Sequence, residues 1–138
     1  MRTAGGWPLL ALVAGTATLD TAASLIRNAH LHSGLDLALF DQAVWHYSHF
    51  QAPYSSIKGT DLLGDHFHPI VALLAPLYWV WSDPRTLLIA QAVLVAASIV
   101  PVFLFAEARV GRAGAYLLSG AYAAFWGSQV GVLFDFHE

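Results

Sequence analysis

Long uninterrupted apolar runs are the main pattern of this chain. Three of them reach about 20 residues, the length that a helix needs to cross the hydrocarbon layer of a bilayer. They cover residues 7–26, which contain one acid, Asp20, and residues 86–106 and 115–134, which carry no charge. A helix satisfies every backbone N–H and C=O within one segment, as a lipid environment requires. The pattern therefore predicts three transmembrane helices.

A fourth apolar run, residues 69–81, is too short to cross a bilayer comfortably. Its roughly 13 residues rise about 20 Å as a helix, against a hydrocarbon core of about 30 Å. It begins with Pro69, which suits a first helical turn, and it ends in Tyr78, Trp79 and Trp81, residue types favoured at the membrane–water interface. We interpret it as an interfacial helix. A short, tilted fourth span is the alternative.

Residues 34–50 have an apolar stripe at helical spacing, formed by Leu37, Phe40, Val44 and Tyr47. This spacing predicts an amphipathic helix between the first two spans. The expected fold is therefore all-α integral membrane: one membrane domain over residues 1–138, with three transmembrane helices and a long external loop that bears one or two juxtamembrane helices. The sequence ends where the third span emerges, so we expect it to be the N-terminal part of a longer protein.

Loop charges give an orientation for these spans. Arg109 and Arg112 lie in the short turn between the second and third spans, and Arg2 lies at the N-terminus. The positive-inside tendency assigns both regions to the cytoplasm and the loop, residues 27–85, to the outside of the cell membrane. All seven histidines then lie in the outer loop or at the outer edge of the last span: His30, His32, His46, His49, His66, His68 and His137.

The composition agrees with a membrane protein. The chain has 138 residues, 57% hydrophobic and 11% charged, whereas a soluble domain carries about 25% charged residues. The absence of cysteine excludes a disulfide framework and a thiol nucleophile. A net charge of −3 without a basic stripe does not suit a nucleic-acid partner. The expected partner is the lipid bilayer.

Asp36 is the first candidate for chemistry. It lies near the start of the predicted juxtamembrane helix, with Ser33 as a candidate cap. An acid in a first helical turn is stabilised by the helix dipole by about 0.3–1 kcal/mol, which is one interpretation. The other is a general base held at the membrane surface. Spacing does not decide between them.

Two acid–histidine motifs form the second group of candidates. In an extended chain before Pro69, His66 and His68 point the same way. Three interpretations stay open. They are polar residues that close a loop, contacts for an anion or substrate, or ligands of a metal ion whose third ligand would be Asp36, Asp41 or a residue beyond this sequence. Residues 135–137, Asp-Phe-His, occur at the same predicted depth as the first motif.

These motifs resemble a family of uncharacterised prokaryotic membrane proteins, domain of unknown function twenty seventy-nine. The resemblance covers the chain from about residue 30 onward. The segments that carry it are Gly34-Leu35-Asp36-Leu37-Ala38-Leu39-Phe40-Asp41-Gln42-Ala43-Val44-Trp45, His66-Phe67-His68-Pro69, Pro76-Leu77-Tyr78, Gln91 and Asp135-Phe136-His137. Members of that family are several times longer than this sequence.

The family in turn resembles membrane glycosyltransferases of the GT-C type, which use lipid-phosphate sugars. In those enzymes an acid opens a juxtamembrane helix after the first span, and Asp36 falls on that acid. Many of them have Glu at the next position, where this chain has Leu37. The resemblance implies a glycosyltransferase that takes a lipid-linked polyprenyl-phosphate sugar on the external face. The fragment alone is expected to be inactive.

The resemblance implies a role for each candidate residue. Asp36 accepts the proton of the acceptor hydroxyl and Asp41 supports it, while the substrate-binding side chains are His66, His68, Asp135 and His137. Cofactors stay open, with a divalent metal ion as one alternative. A non-enzymatic transporter or assembly subunit with a histidine-rich external surface is the alternative function. Asp20 and Pro101 in the spans favour it, because transporters use broken helices and intramembrane charges.

Overall fold

The computed structural model describes residues 6–31, 34–65, 67–134 and 136 of the chain. The described residues are mostly helical, with one short antiparallel hairpin that the sequence analysis did not predict. The elements are α1 (Gly6–Leu31), α2 (Leu35–Ser48), β1 (Tyr54–Ser55), β2 (Thr60–Asp61), α3 (Leu62–Asp65), a 3₁₀ helix (Pro69–Leu74), α4 (Ala75–Tyr78), α5 (Arg85–Ala97), α6 (Ile99–Ala123) and α7 (Trp126–Phe134). In the hairpin, Tyr54 pairs with Asp61 and Ser55 with Thr60.

Two stretches are long and apolar enough to cross a membrane: Gly6–His30 and Arg85–Ala123. The second stretch does not run straight. Gly111 has a φ of 74°, in the left-handed region that side chains disfavour. The Ser98 and Tyr122 hydroxyls, on either side of Gly111, lie 2.9 Å apart, whereas a straight helix would separate these residues by about 36 Å. The chain therefore reverses direction at Gly111.

α1 packs beside this helical hairpin, mainly against α5. Near its start, Leu9 packs on a buried cluster that includes Phe103 and Ala115. Near its other end, the Ser24 hydroxyl donates a hydrogen bond to the Val132 carbonyl at 2.9 Å. α1 therefore runs in the same direction as the returning segment that ends in α7, and opposite to α5.

The fourth apolar run is not a regular α-helix. Residues 69–74 are 3₁₀ and only Ala75–Tyr78 is α-helical. Pro76 is the physical reason, since it has no N–H to donate to the Ala72 carbonyl. That carbonyl accepts from the Ala75 N–H instead, in 3₁₀ geometry. The helical run stops at Tyr78, and the Trp79 indole N–H donates to the Ser48 carbonyl at 2.8 Å.

Residues 34–81, here called the loop unit, share a hydrophobic core with the start of α5. The N-cap of α2 is Gly34, which has no side chain to make a capping hydrogen bond. Ser33, the candidate cap, precedes this position and lies outside the described residues. The buried members of the core are Leu37, Phe40, Ala43, Val44, Leu62, Val71, Tyr78, Leu87, Leu88 and Phe136. The core thus joins α2, α3, the 3₁₀ helix, α4, α5 and Phe136.

Candidate functional site

Phe40 is the point at which the three sequence motifs meet. Its ring centroid lies 5.3 Å from that of Phe136 and 6.5 Å from that of His68, both in edge-to-face geometry. Phe136 is 4% exposed and packs in the core of the loop unit. The first turns of α2, the segment before Pro69 and the end of α7 therefore lie together, although they are far apart in sequence.

Asp36 lies one helical turn before Phe40 and on the same face of α2, because side chains four residues apart are neighbours on a helix. It is half-buried. Asp36 therefore lies one helical turn from the residue whose ring contacts His68 and Phe136. Leu37, the residue after Asp36, is 2% exposed and packs in the core. Its burial in an apolar core explains why an acid does not suit this position.

Asp41 has a different environment from Asp36. Its carboxylate accepts a hydrogen bond of 2.6 Å from the Tyr78 hydroxyl, which ties α2 to α4. Burial raises the pKa of Asp41, and the Tyr78 hydrogen bond opposes part of that rise. Burial and the adjoining carboxylate raise the pKa of Tyr78 well above its usual range, so the phenol keeps its proton and remains the donor. The carboxylate of Asp41 is therefore held in place by its contact with Tyr78 of α4.

Three of the expected site residues, His66, Asp135 and His137, lie outside the described residues. Of the expected six, the structure therefore describes Asp36, Asp41 and His68. Among the residues it describes, no group of three His, Asp or Glu side chains could hold a metal ion. Binding of a divalent metal ion stays a prediction, and it depends on His66, Asp135 and His137, which lie outside the described residues.

The carboxyl end of α7 is held by side chains that sequence reasoning did not assign to the site. The last four carbonyls of a helix have no partners within it. Here the Gln91 side chain donates to the Gly131 carbonyl at 3.2 Å, Ser24 donates to that of Val132, and Arg27 donates to that of Phe134. The positive charge of Arg27 also suits this end of a helix dipole. These contacts fix the direction in which the chain continues to Phe136.

Polar residues and a proline of the long helices lie in different surroundings. Asp20 is 4% exposed and faces protein, and Gln129 is the polar side chain beside it. Arg27 stacks 5.5 Å from the Phe134 ring centroid. Pro101 is exposed.

A further pair of hydrogen bonds organises the loop unit. The Gln42 side chain donates to the Ser56 hydroxyl at 3.0 Å and accepts from the Ser56 N–H at 2.9 Å. This pair fixes the β-hairpin against α2. Gln42 follows Asp41 in the first of the segments that carry the family resemblance. Its partner, Ser56, is 14 positions away, so the spacing within that segment did not predict the contact.

Among the described residues, two helical stretches have the length and composition of membrane spans. A family model described as "Predicted membrane protein (DUF2079)" matches residues 27–138. The chain therefore belongs to the DUF2079 family, which confirms the resemblance drawn from its motifs. Neither a curated protein nor a solved structure matches the chain.

Proposed function

We propose that this chain is the N-terminal part of a polytopic membrane glycosyltransferase that uses a polyprenyl-phosphate sugar on the external face of the cell membrane. The observation that carries the proposal is the meeting of the three motifs at Phe40. Through the Phe40 ring it brings α2, the helix that carries the half-buried Asp36, into contact with His68 and Phe136. A carboxylate next to phosphate-binding side chains suits sugar transfer from a phosphate leaving group.

The proposed topology has three spans. Residues 6–31, 85–110 and 112–134 cross the bilayer, and the loop unit lies outside. The reversal at Gly111 supports the second and third spans as separate crossings, because α7 ends beside Ser24 and Arg27, near the end of α1. The helical run Pro69–Tyr78 supports the interfacial interpretation, since it is shorter than a span needs.

In the proposed reaction the acceptor hydroxyl oxygen attacks the anomeric carbon of the donor sugar. A new glycosidic C–O bond forms as the bond from that carbon to the phosphate oxygen breaks, and the electron pair leaves with polyprenyl phosphate. Asp36 takes the hydroxyl proton. His66 and His68 contact the donor phosphate, either directly or through a divalent ion, and Asp135 and His137 complete the substrate contacts.

Asp41 is a positioning residue in this scheme and not the base. Its Oδ1 accepts the Tyr78 hydrogen bond, so this oxygen is engaged in the contact between α2 and α4. Through Tyr78 it holds α4 against α2, and it thereby fixes the helix that carries Asp36.

Replacement of Asp36 by asparagine in the full-length protein tests the proposal. The change keeps the shape and removes the basic charge, so transfer from a polyprenyl-phosphate sugar should fall by about 100-fold or more while expression stays normal. Asp61→Asn is the matched control, because Asp61 lies in the hairpin and its Oδ1 accepts the Leu63 N–H, which an asparagine oxygen can also do. Full transfer by Asp36→Asn would remove Asp36 from the active site.

A transporter is the second candidate function. Its support is Asp20, a buried acid within α1 whose Oδ2 accepts no hydrogen bond from the residues that the structure describes. Intramembrane acids of this kind often mark ion pathways. The full-length reading frame discriminates the two candidates: paired inverted halves favour transport, and about eight or more further spans with a second external loop favour the transferase.

A further inference from the structure

An exposed apolar tip lies where the end of α2 meets the end of α4. It consists of Phe50, Trp79 and Val80, which are 88%, 62% and 89% exposed. The ring centroids of Phe50 and Trp79 are 6.1 Å apart, and the Trp79 indole is fixed to the carbonyl of Ser48 by its hydrogen bond. Single exposed apolar side chains are ordinary, whereas a cluster of large ones marks an interaction surface.

The backbone at Phe50 shows that this residue is not chosen for the fold of α2. The helix ends in a Schellman motif, in which the Gln51 N–H donates to the His46 carbonyl at 2.9 Å and the Phe50 N–H donates to that of Tyr47 at 3.0 Å. This motif needs a left-handed residue just past the helix end, which is usually glycine. Phe50 takes that position with a φ of 57°, a conformation that bulky side chains rarely adopt. A strained phenylalanine with an exposed ring therefore points to a contact outside the described residues.

The depth of the tip relative to α5 indicates what that contact is. Trp81, the residue after Val80, accepts a hydrogen bond of 2.8 Å at its carbonyl from the Thr86 hydroxyl, and the Arg85 guanidinium lies 5.2 Å from its ring centroid. Arg85 and Thr86 form the start of α5, which opens a stretch long and apolar enough to cross a membrane. Tryptophan and arginine at the end of a span are typical of the membrane–water interface. The tip is therefore next to the level at which this span leaves the bilayer.

We propose that Phe50, Trp79 and Val80 insert into the leaflet that adjoins the loop unit, beside the first turn of α5. The lipid headgroups and the first acyl carbons then cover the three side chains. This inference rests on the proposed topology, in which α5 belongs to a span, and not on the proposed sugar transfer. Because Phe50 follows the last turn of α2, insertion ties the helix that carries Asp36 to the membrane surface.

Depth measurements with spin labels test the insertion. Single cysteines in a full-length protein without other cysteines carry a nitroxide, in vesicles of phosphatidylcholine and phosphatidylglycerol. Electron paramagnetic resonance compares collisions with oxygen, which concentrates in lipid, and with a water-soluble nickel chelate. Labels at Phe50→Cys and Val80→Cys should lie about 5–10 Å inside the bilayer surface. Ile57→Cys is the matched control, since Ile57 is an exposed apolar residue next to Lys58 in the hairpin turn, and its label should lie in water.

A glycine at position 50 separates insertion from a role in folding. Glycine suits the left-handed conformation of Phe50, so Phe50→Gly should not lower the thermal unfolding temperature in detergent. The loss of the ring should shift a label at Val80→Cys towards the water and towards the depth of Ile57→Cys. A phenylalanine that served only the fold would give a lower unfolding temperature with an unchanged depth, and that result would overturn the proposal.

Two further results would overturn the proposal. One is access of nickel to the labels at Phe50→Cys and Val80→Cys equal to that at Ile57→Cys. The other is shielding of both labels from oxygen and from nickel, which would mean that another part of the protein or a second copy covers the tip. Leu94, 61% exposed within α5, tests the topology separately, because nickel access at Leu94→Cys would reject α5 as a span. Full sugar transfer by Asp36→Asn would reject the proposed function and leave these depths unaffected.

Discussion

The first long helix, α1, and the helix that follows it, α2, bury opposite kinds of side chain. Within residues 6–30, the two buried side chains are both polar, Asp20 and Ser24, while large apolar side chains such as Leu19 are exposed. In α2 the buried side chains are mainly apolar and include Phe40 and Val44. This difference agrees with the proposed topology, in which lipid surrounds the long helices and water surrounds much of the loop unit.

The largest effect is expected from the core of the loop unit. Phe40→Ala removes the ring that contacts His68 and Phe136 and leaves a cavity, so the free energy of unfolding of the loop unit should fall by about 3–5 kcal/mol. Hydrogen exchange of residues 69–78 in the full-length protein measures the change. Leu35→Ala, at an exposed position of the same helix, is the control and should change protection little. Equal protection in both variants would show that Phe40 does not organise the site.

The next effect separates the two surroundings directly. Leu19 and Leu35 are both exposed, at 71% and 58%, and the same change to aspartate should affect them differently. In α1 the new acid faces lipid and should disfavour insertion by about 2.5–3.5 kcal/mol. In α2 it faces water and should be tolerated. Membrane insertion of the two variants measures the difference, and equal insertion would contradict the assignment of α1 to lipid.

The smallest effect concerns the hydrogen bond from Tyr78 to Asp41. Tyr78→Phe leaves a partly buried carboxylate without this donor, so the free energy of unfolding should fall by about 1–3 kcal/mol at neutral pH. Thermal unfolding of the full-length protein in detergent measures it. Tyr54→Phe, at an exposed tyrosine of the hairpin, is the control.

The effect of Tyr78→Phe on the free energy of unfolding should depend on pH. Burial raises the pKa of Asp41, so the folded state binds this proton more tightly than the unfolded chain does. The contribution of Asp41 to stability therefore falls as pH rises from its ordinary pKa of about 3.9 to the raised value. The Tyr78 hydrogen bond offsets this loss only where Asp41 is ionised. The difference between wild type and Tyr78→Phe should therefore shrink as pH falls through the raised pKa, and a constant difference would reject the assignment.

The sequence predicted the elements that depend on local patterns. The apolar runs gave the long helices, and the stripe of Leu37, Phe40 and Val44 gave α2, because burial repeats with the helical period. The order of the motifs gave the family. Pro76 carried a readable signal for the break in the run 69–81, since a proline within a helix removes a hydrogen bond.

Local sequence patterns did not predict the contacts that assemble the site. Tyr78 and Asp41 are 37 positions apart, and the aromatic pattern around Tyr78 suggested an interface and not a partner. Arg27 donates to the carbonyl of Phe134, which is 107 positions away. Spacing along one helix describes its faces, but the choice of a distant partner depends on how the helices pack.

The central claim is that the loop unit and the turn at Gly111 lie on opposite sides of the membrane, with the loop unit outside. Single cysteines at Lys58 and at Ala113 test it, since the sequence has no cysteine of its own and both residues are exposed. With an impermeant thiol reagent on intact cells, Lys58→Cys should be labelled, and Ala113→Cys should be labelled only after the membrane is opened. Labelling of both in intact cells, or of Ala113→Cys alone, would contradict the account.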